Sequence, residues 1–265
     1  MKKVFIVAII ALLAPQIAFG WGRVGHRTVA EIAERNLTPK AKANIERYTK
    51  GTPLFEYSLW VDEMRNHPDY KEALDGFHAS IVDSDCTSPQ IVRDRYRNGK
   101  DGVTAMNKFR EQLKNYKELP DSVVMFALKS MIHIVGDFNC PSHLRYVDNE
   151  NKGNFAVKFL GKESYMHKVW DSGVVGKYHK DWKHIEYADH LNTLSKKEIK
   201  KITKGWAQQW LESGARNVRP ATFWVNDLTI ENLDQPFLEK AGPLVEEQIQ
   251  RAGYQLAKAL NTIFK

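Results

Sequence analysis

Several things are scarce in this sequence. Its 265 residues include only two cysteines, Cys86 and Cys140, which excludes a framework of several disulfides and a structural zinc site built from paired thiolates. A membrane-spanning helix needs about 20 apolar residues, and no run here reaches that length; the longest, from Val4 to Leu13, stops at Pro15 and Gln16. Alternating, strand-like stretches are few, which argues against an all-β fold. Repeats, low-complexity linkers and shifts in composition are also missing, so nothing divides the body of the chain into separate domains.

The amino terminus is different. Lys2 and Lys3 precede the apolar run, and Ala18 and Gly20 bracket a cleavage point, the pattern of an export signal. Residues 1–20 are therefore expected to be a signal peptide and residues 21–265 a single domain beginning at Trp21, secreted or periplasmic, without a membrane anchor and monomeric. Loss of the two leader lysines takes the 39 basic residues to 37 against 32 acidic ones, a net charge of +5. That excess suits a polyanionic substrate, but solubility alone accounts for it equally well. Export also permits a disulfide between Cys86 and Cys140. Two buried thiols, or a zinc thiolate at Cys140, are the alternatives, the last without a partner thiol at zinc-site spacing.

Apolar residues recur at helical spacing through most of the chain. After His26, the residues Val29, Ile32 and Ala33 mark one helical face. Thr38 and Pro39 read as cap and first turn of a second helix, ended by Gly51. Asp121 after Pro120 opens a third through Val124, Leu128, Met131, Ile132 and Val135, and a last one is expected from about Pro243 through Ile249, Leu256 and Ile263. Between Gly153 and Tyr165 the residues alternate as in a small β-hairpin. The fold class is mainly α.

Five of the nine histidines fall in arrangements that favour a divalent metal. His133 with Asp137, and His167 with Asp171, are each four residues apart; on a helix such residues share a face, presenting an imidazole beside a carboxylate. One such pair is commonly a surface ion pair, but the first lies in an otherwise apolar helix, where an unpartnered carboxylate is costly. His143 follows just past the helix end, where Pro141 enforces a turn. Upstream, Trp60-Val61-Asp62 and Phe77-His78 offer another carboxylate and imidazole among aromatic residues. Nitrogen and oxygen donors without thiolate pairs suit a catalytic zinc site with open positions. Trp21 and His26 begin the mature chain, and an α-amino group, with a pKa of about 7.7–8.0, gives up its proton to a metal at little cost. His67, His179, His184 and His190 fall in no motif and read as surface or satisfied histidines.

These residues resemble the zinc-dependent single-strand-specific nucleases and 3′-nucleotidases, whose helical fold is shared with bacterial zinc phospholipases C. The likeness spans nearly the whole chain after the leader: Trp21 with His26 five positions on, Trp60-Val61-Asp62-Glu63-Met64-Arg65, Phe77-His78, the His-x-x-Gly-Asp-x-x-x-Pro-x-His run from His133 to His143, Gly153-Asn154, His167-Lys168-Val169-Trp170-Asp171, Trp210-Leu211-Glu212-Ser213, and Ala252 to Asn261. The resemblance implies three zinc ions. One would be held by Asp62, His78, His133 and Asp137, a second by Trp21, His26 and a bridging Asp137, and a third by His143, His167 and Asp171.

It further implies that Asp62 orients the attacking water, that Arg65 steadies the phosphoryl group, and that Asn154 contacts the base of a single-stranded nucleic acid or nucleotide. An ion pair to Asp62 or Glu63 is the plainer reading of Arg65. Trp60 and Trp170 are expected to wall the metal site. The short gap from Trp21 to His26, and aspartate at position 171, match the nuclease branch rather than the phospholipase branch. Asn139 and Ser142 depart from the family pattern at positions that are not ligands. The segment Ala79-Ser80-Ile81-Val82-Asp83 departs where the family helps hold the base. A phospholipase C-like activity on lipid headgroups and a non-catalytic zinc-binding secreted protein are the rival readings.

Overall fold

The computed structural model describes residues 21–78, 80–148, 155–224 and 232–265. The expected signal segment and Asn154 lie outside the described residues. Among those described, the chain is mainly helical, and no helix is long and apolar enough to cross a membrane.

Helix α1 (Arg23–Arg35) buries Val29, Ala30, Ile32 and Ala33. The Thr38 hydroxyl caps α2 (Pro39–Thr49) by accepting from the Ala41 amide at 3.2 Å, and Lys50 in the left-handed region with Gly51 behind it ends the helix, as those residue types predict. A short helix α3 (Trp60–Met64) follows, then α4 (Gln90–Arg97) and α5 (Gly102–Gln112). These last two were not foreseen; α4 in particular is mostly polar and carries little apolar periodicity. Helix α6 (Asp121–Asp137) begins behind Pro120, and every residue from Ser130 to Asp137 is buried, so its last two turns lie at the centre of the molecule.

After a loop, α7 (Met166–Lys168), a π-helical turn (Val169–Gly173) and α8 (Val174–Tyr178) form one continuous run. They are followed by α9 (His184–Leu191), α10 (Lys196–Ile202), α11 (Ala207–Trp224) and α12 (Gln235–Ile263). Helix α12 begins eight residues earlier than expected. Pro236 occupies its first turn, where the missing N–H costs nothing, and Pro243 is accommodated inside the helix.

Strand content is small. β1 (Ser80–Val82) runs parallel to β2 (Leu144–Tyr146), pairing Ser80 with Leu144 and Val82 with Tyr146. β3 (Ala156–Phe159) and β4 (Lys162–Tyr165) form the expected hairpin about Leu160 and Gly161, both at positive φ, and β5 (Asn232–Leu233) adds to β3 in parallel. The left-handed pair suits a two-residue turn that matches strand twist.

Helices α1, α6 and α12 share one core: Val29 and Ile32, then Val124, Leu128, Met131 and Val135, then Ile249, Ala252, Leu256 and Leu260 are all fully buried. Cys86 and Cys140 are both buried free thiols, so the buried-thiol reading holds and the disulfide does not. Helices α1 and α12 approach closely because Gly253 has no side chain. A Cβ there would sit 2.6 Å from Ile32 Cβ and 3.3 Å from the Val29 carbonyl. Gly253→Ala should therefore force two packed helices apart, at a cost of about 1–3 kcal/mol. Exposed Gly176 in α8, where a Cβ would meet nothing within 4 Å, should tolerate alanine with a gain of about 0.5–1 kcal/mol. Thermal denaturation of the two variants should move the midpoint in opposite directions.

Candidate metal centre

Four separate parts of the chain deliver side chains to one buried point. The end of α6 supplies His133 and Asp137, separated by one helical turn. The register of β1 on β2 supplies two more: because Ser80 pairs with Leu144, His78 and His143, just before each strand, come side by side with ring centroids 5.8 Å apart. Helix α3 contributes Asp62 and α1 contributes His26, whose ring stacks on that of His133 at 4.1 Å.

Asp137 is the hub. Its Oδ2 lies 3.0 Å from His78 Nδ1, 3.4 Å from His133 Nε2 and 3.4 Å from His143 Nδ1, while its Oδ1 faces the other way, 3.5 Å from His26 Nε2. Asp62 Oδ1 closes the group at 3.7 Å from His78 Nε2 and 3.8 Å from His133 Nε2. His143 reaches on toward the third pair, with Nε2 at 3.9 Å from Asp171 Oδ1, and His167 Nε2 lies 3.0 Å from Asp171 Oδ2. The π-helical turn through Asp171 keeps His167 and Asp171 on neighbouring positions although the α-helical ladder is interrupted there; such turns recur at functional sites.

The start of the described chain is tied to the same place. Trp21 is fully buried, its indole N–H donates to the Gly136 carbonyl at 2.8 Å, and the next amide, Gly22, donates to the Asp171 carbonyl at 2.6 Å. Gly136 has to be glycine for this arrangement, since a Cβ would stand 2.8 Å from His26 Nδ1.

The protonation pattern follows from burial and pairing. Burial pulls the His26 imidazole below its ordinary value, aided by His133, and lowers His143 to about 3. Burial also opposes charge on His133, yet Asp137 and Asp62 outweigh it and push this group up to about 9. Asp137, despite burial, is held well below the carboxylate range by His143 and His133. Burial raises Asp171 to about 6.

Whether the group fits a metal can be judged from its unpaired atoms. Both ring nitrogens of His26, both oxygens of Asp62, His78 Nε2, Asp137 Oδ1, His143 Nε2 and His167 Nε2 are buried without a hydrogen bond. At about 1–3 kcal/mol for each unsatisfied buried group, eight such atoms would cost on the order of 10 kcal/mol, comparable to the whole stability of a domain. Ligation removes that cost. A tetrahedral ion with bonds near 2.0–2.1 Å needs ligand atoms about 3.3 Å apart, and the contacts among Asp62, His78, His133 and Asp137 bracket that value. His133 Nδ1 donates to the Ser58 carbonyl at 2.9 Å, which leaves Nε2 as the donor atom facing the cluster. The residues fit a metal.

These contacts link the eight expected side-chain ligands in a chain, but they group differently from the expected partition: His26 with Asp62 and His133, His78 with Asp137 and His143, and His143 with Asp171 and Cys140. Arg65 is the C-cap of α3, half-buried, and no ion pair to Asp62 or Glu63 is present among the described residues, so the plainer reading of Arg65 is not met. Trp60 packs edge-on against Tyr70 and Phe126, and Trp170 against Phe237; their ring contacts are with other aromatics rather than with the imidazoles. Three supporting contacts went unforeseen, counting that of the Ser58 carbonyl with His133. The Ser142 hydroxyl hydrogen-bonds Asp171 Oδ1, and the Cys140 thiol lies 3.5 Å from the same oxygen. Position 142 could have been noticed, since it stands one residue before a ligand; the Ser58 carbonyl leaves no trace in the side-chain pattern. Of the divergent segment after His78, Ser80–Val82 form strand β1.

Known proteins are similar to this chain along nearly their full length. The chain is 23% identical to Endonuclease 2 of Arabidopsis thaliana, over 98% of this chain and 96% of the plant protein. It is 23% identical to Nuclease S1 of Aspergillus oryzae, over 99% and 98%, and 23% identical to Nuclease P1 of Penicillium citrinum, over 92% and 97%. A sequence model of the S1/P1 Nuclease family matches residues 21–265, the stretch that begins at Trp21 and takes in every residue of the buried cluster; the chain belongs to the S1/P1 nuclease family.

Proposed function

We propose that this protein is an exported phosphodiesterase that uses three zinc ions to cleave single-stranded RNA or DNA and to remove 3′-phosphates from nucleotides. The observation that carries the reading is the cluster of buried, unpartnered imidazole and carboxylate atoms around Asp137. Asp62, His78, His133 and Asp137 would hold one ion, Trp21, His26 and Asp137 a second, and His143, His167 and Asp171 the third. Bound zinc supplies an acidified water and positive charge against the phosphoryl oxygens.

The chain's own groups then have separate tasks. Asp62, on α3, orients the attacking water and accepts its proton. The water oxygen bonds to phosphorus in line with the leaving group, the P–O3′ bond breaks, and the departing 3′-oxygen takes a proton from solvent, giving a 3′-hydroxyl and a 5′-phosphate from a strand, or a nucleoside and phosphate from a 3′-nucleotide. Arg65, one turn from Asp62 and without an ion pair among the described residues, donates to a non-bridging oxygen of the phosphate. Asn154 holds the base. The buried surroundings exclude bulk water and strengthen each of these interactions. Export sets the N-terminus: cutting after Gly20 would free the Trp21 amine and carbonyl as ligands, and the indole bond to Gly136 and the Gly22 amide bond to Asp171 hold that end beside the cluster.

Three measurements check this reading. Purified protein beginning at Trp21 should release acid-soluble nucleotides from single-stranded DNA and RNA, and phosphate from adenosine 3′-monophosphate; hydrolysis of phosphatidylcholine without any of these would instead establish the phospholipase reading. A protein with residues retained ahead of Trp21 should bind one zinc fewer and turn over more slowly than the cleaved form, and equal metal content and rates would refute the role of the terminal amine. Asp137→Asn should lose more than one zinc per chain, counted by elemental analysis, with turnover down by at least about 100-fold, the upper range for disturbing even the groups behind a metal ligand.

A further inference from the structure

Two histidines outside every motif meet at a carboxylate that belongs to none of those groups. His179 follows α8, His190 lies in the last turn of α9, and Glu246 lies on α12. Their meeting depends on Gly242: a Cβ there would fall 2.3 Å from the ring of Tyr178, so only glycine lets the end of α8 lie against α12. That contact brings His179 within reach of Glu246, one helical turn beyond Gly242. His179 Nε2 is 2.8 Å from Glu246 Oε1, and His190 Nε2 is 3.5 Å from the same oxygen. One ligand atom from each of the three lies within 4.8 Å of the others.

The rings are held in place before any ligand arrives. The imidazole of His179 stacks on Trp182 at 3.8 Å and 11°, Trp182 stands edge-on to His190 at 5.3 Å and to Tyr187 at 5.2 Å, and the Tyr187 hydroxyl donates to the Val175 carbonyl at 2.6 Å. A tetrahedral zinc ion with bonds near 2.0–2.1 Å sets its ligand atoms about 3.3 Å apart, and the two measured distances fall on either side of that value. At 3.5 Å the His190 contact is too long for a good hydrogen bond but suits two ligands of one ion. Glu246 is 14% exposed, while His190 is 48% exposed, so the carboxylate is sheltered and the outer side is open to water. Two imidazoles, one carboxylate and open positions are a donor set for zinc or nickel rather than for calcium or magnesium.

We infer that His179, His190 and Glu246 form a second metal site, separate in its residues from the Asp137 cluster, which binds one divalent transition ion and ties the ends of α8 and α9 to α12. Because His167 and Asp171 lie on the same continuous run that ends at His179, the ion would anchor that run from its far end.

The test uses the processed protein with its main cluster loaded with zinc. Wild type, His190→Ala and Glu246→Gln are equilibrated with excess zinc chloride, freed of unbound metal and counted for zinc per chain, and each is melted with and without excess zinc. Wild type should hold one more ion per chain than either variant, and its melting midpoint should rise by several degrees with zinc while the variants' shift is smaller, since an ion that binds only the folded state stabilises it. Turnover of single-stranded DNA should be the same in all three, which separates this site from damage at the Asp137 cluster. Equal zinc counts and equal zinc-induced shifts in the three proteins would overturn the inference and leave an ordinary hydrogen-bonded trio.

Discussion

A single buried carboxylate organises the centre of this protein. Asp137 is fully buried at the end of an apolar helix, where an isolated charge could not persist, and it is kept ionised by imidazoles that come from α1, from the residues before β1 and β2, and from its own helix. Each of those elements must be placed to within a fraction of an ångström for the carboxylate to be satisfied. The fold can be seen as the means of bringing them there: α1 and α12 close over Gly253, α6 carries the carboxylate inward, and the short parallel pair of strands sets His78 beside His143.

Small residues recur where this convergence is tightest. Gly136 leaves room for the His26 ring, and Gly253 leaves room for Ile32. Neither position would reveal its purpose by composition, because what glycine provides there is the absence of a Cβ against a neighbour distant in sequence. Polar support follows the same logic. The Ser58 carbonyl holds His133 by Nδ1, so that Nε2 faces the cluster, and the Ser142 hydroxyl steadies Asp171. The proposed chemistry rests on that orientation as much as on the donors themselves.

The same geometry recurs in a looser form at His179, His190 and Glu246. There, as at the centre, a glycine allows two elements to touch and an aromatic ring holds an imidazole in place. The difference is exposure: in the Asp137 group only His78 and His167 are partly exposed, at 20% and 16%, while half-exposed His190 opens the second group to solvent.

Much of this was legible in the chain itself. Helical periodicity and end signals marked α1, α2, α6 and most of α12, alternation between Gly153 and Tyr165 marked the hairpin, and the four-residue spacings of His133 with Asp137 and His167 with Asp171 pointed to a metal, because such local features depend on backbone geometry that the neighbouring residues dictate. Helix α4 was not legible, its polar surface carrying no period, and neither was the strand pair that sets His78 against His143, since three residues of strand carry too short a pattern to recognise. What the sequence determined was the set of donors and the helices that bear them. Tertiary structure alone decided that His78 meets Asp137, that His26 stacks on His133, and that His179 and His190 face Glu246, because these contacts join residues more than 50 positions apart and are set by packing, which no local spacing encodes.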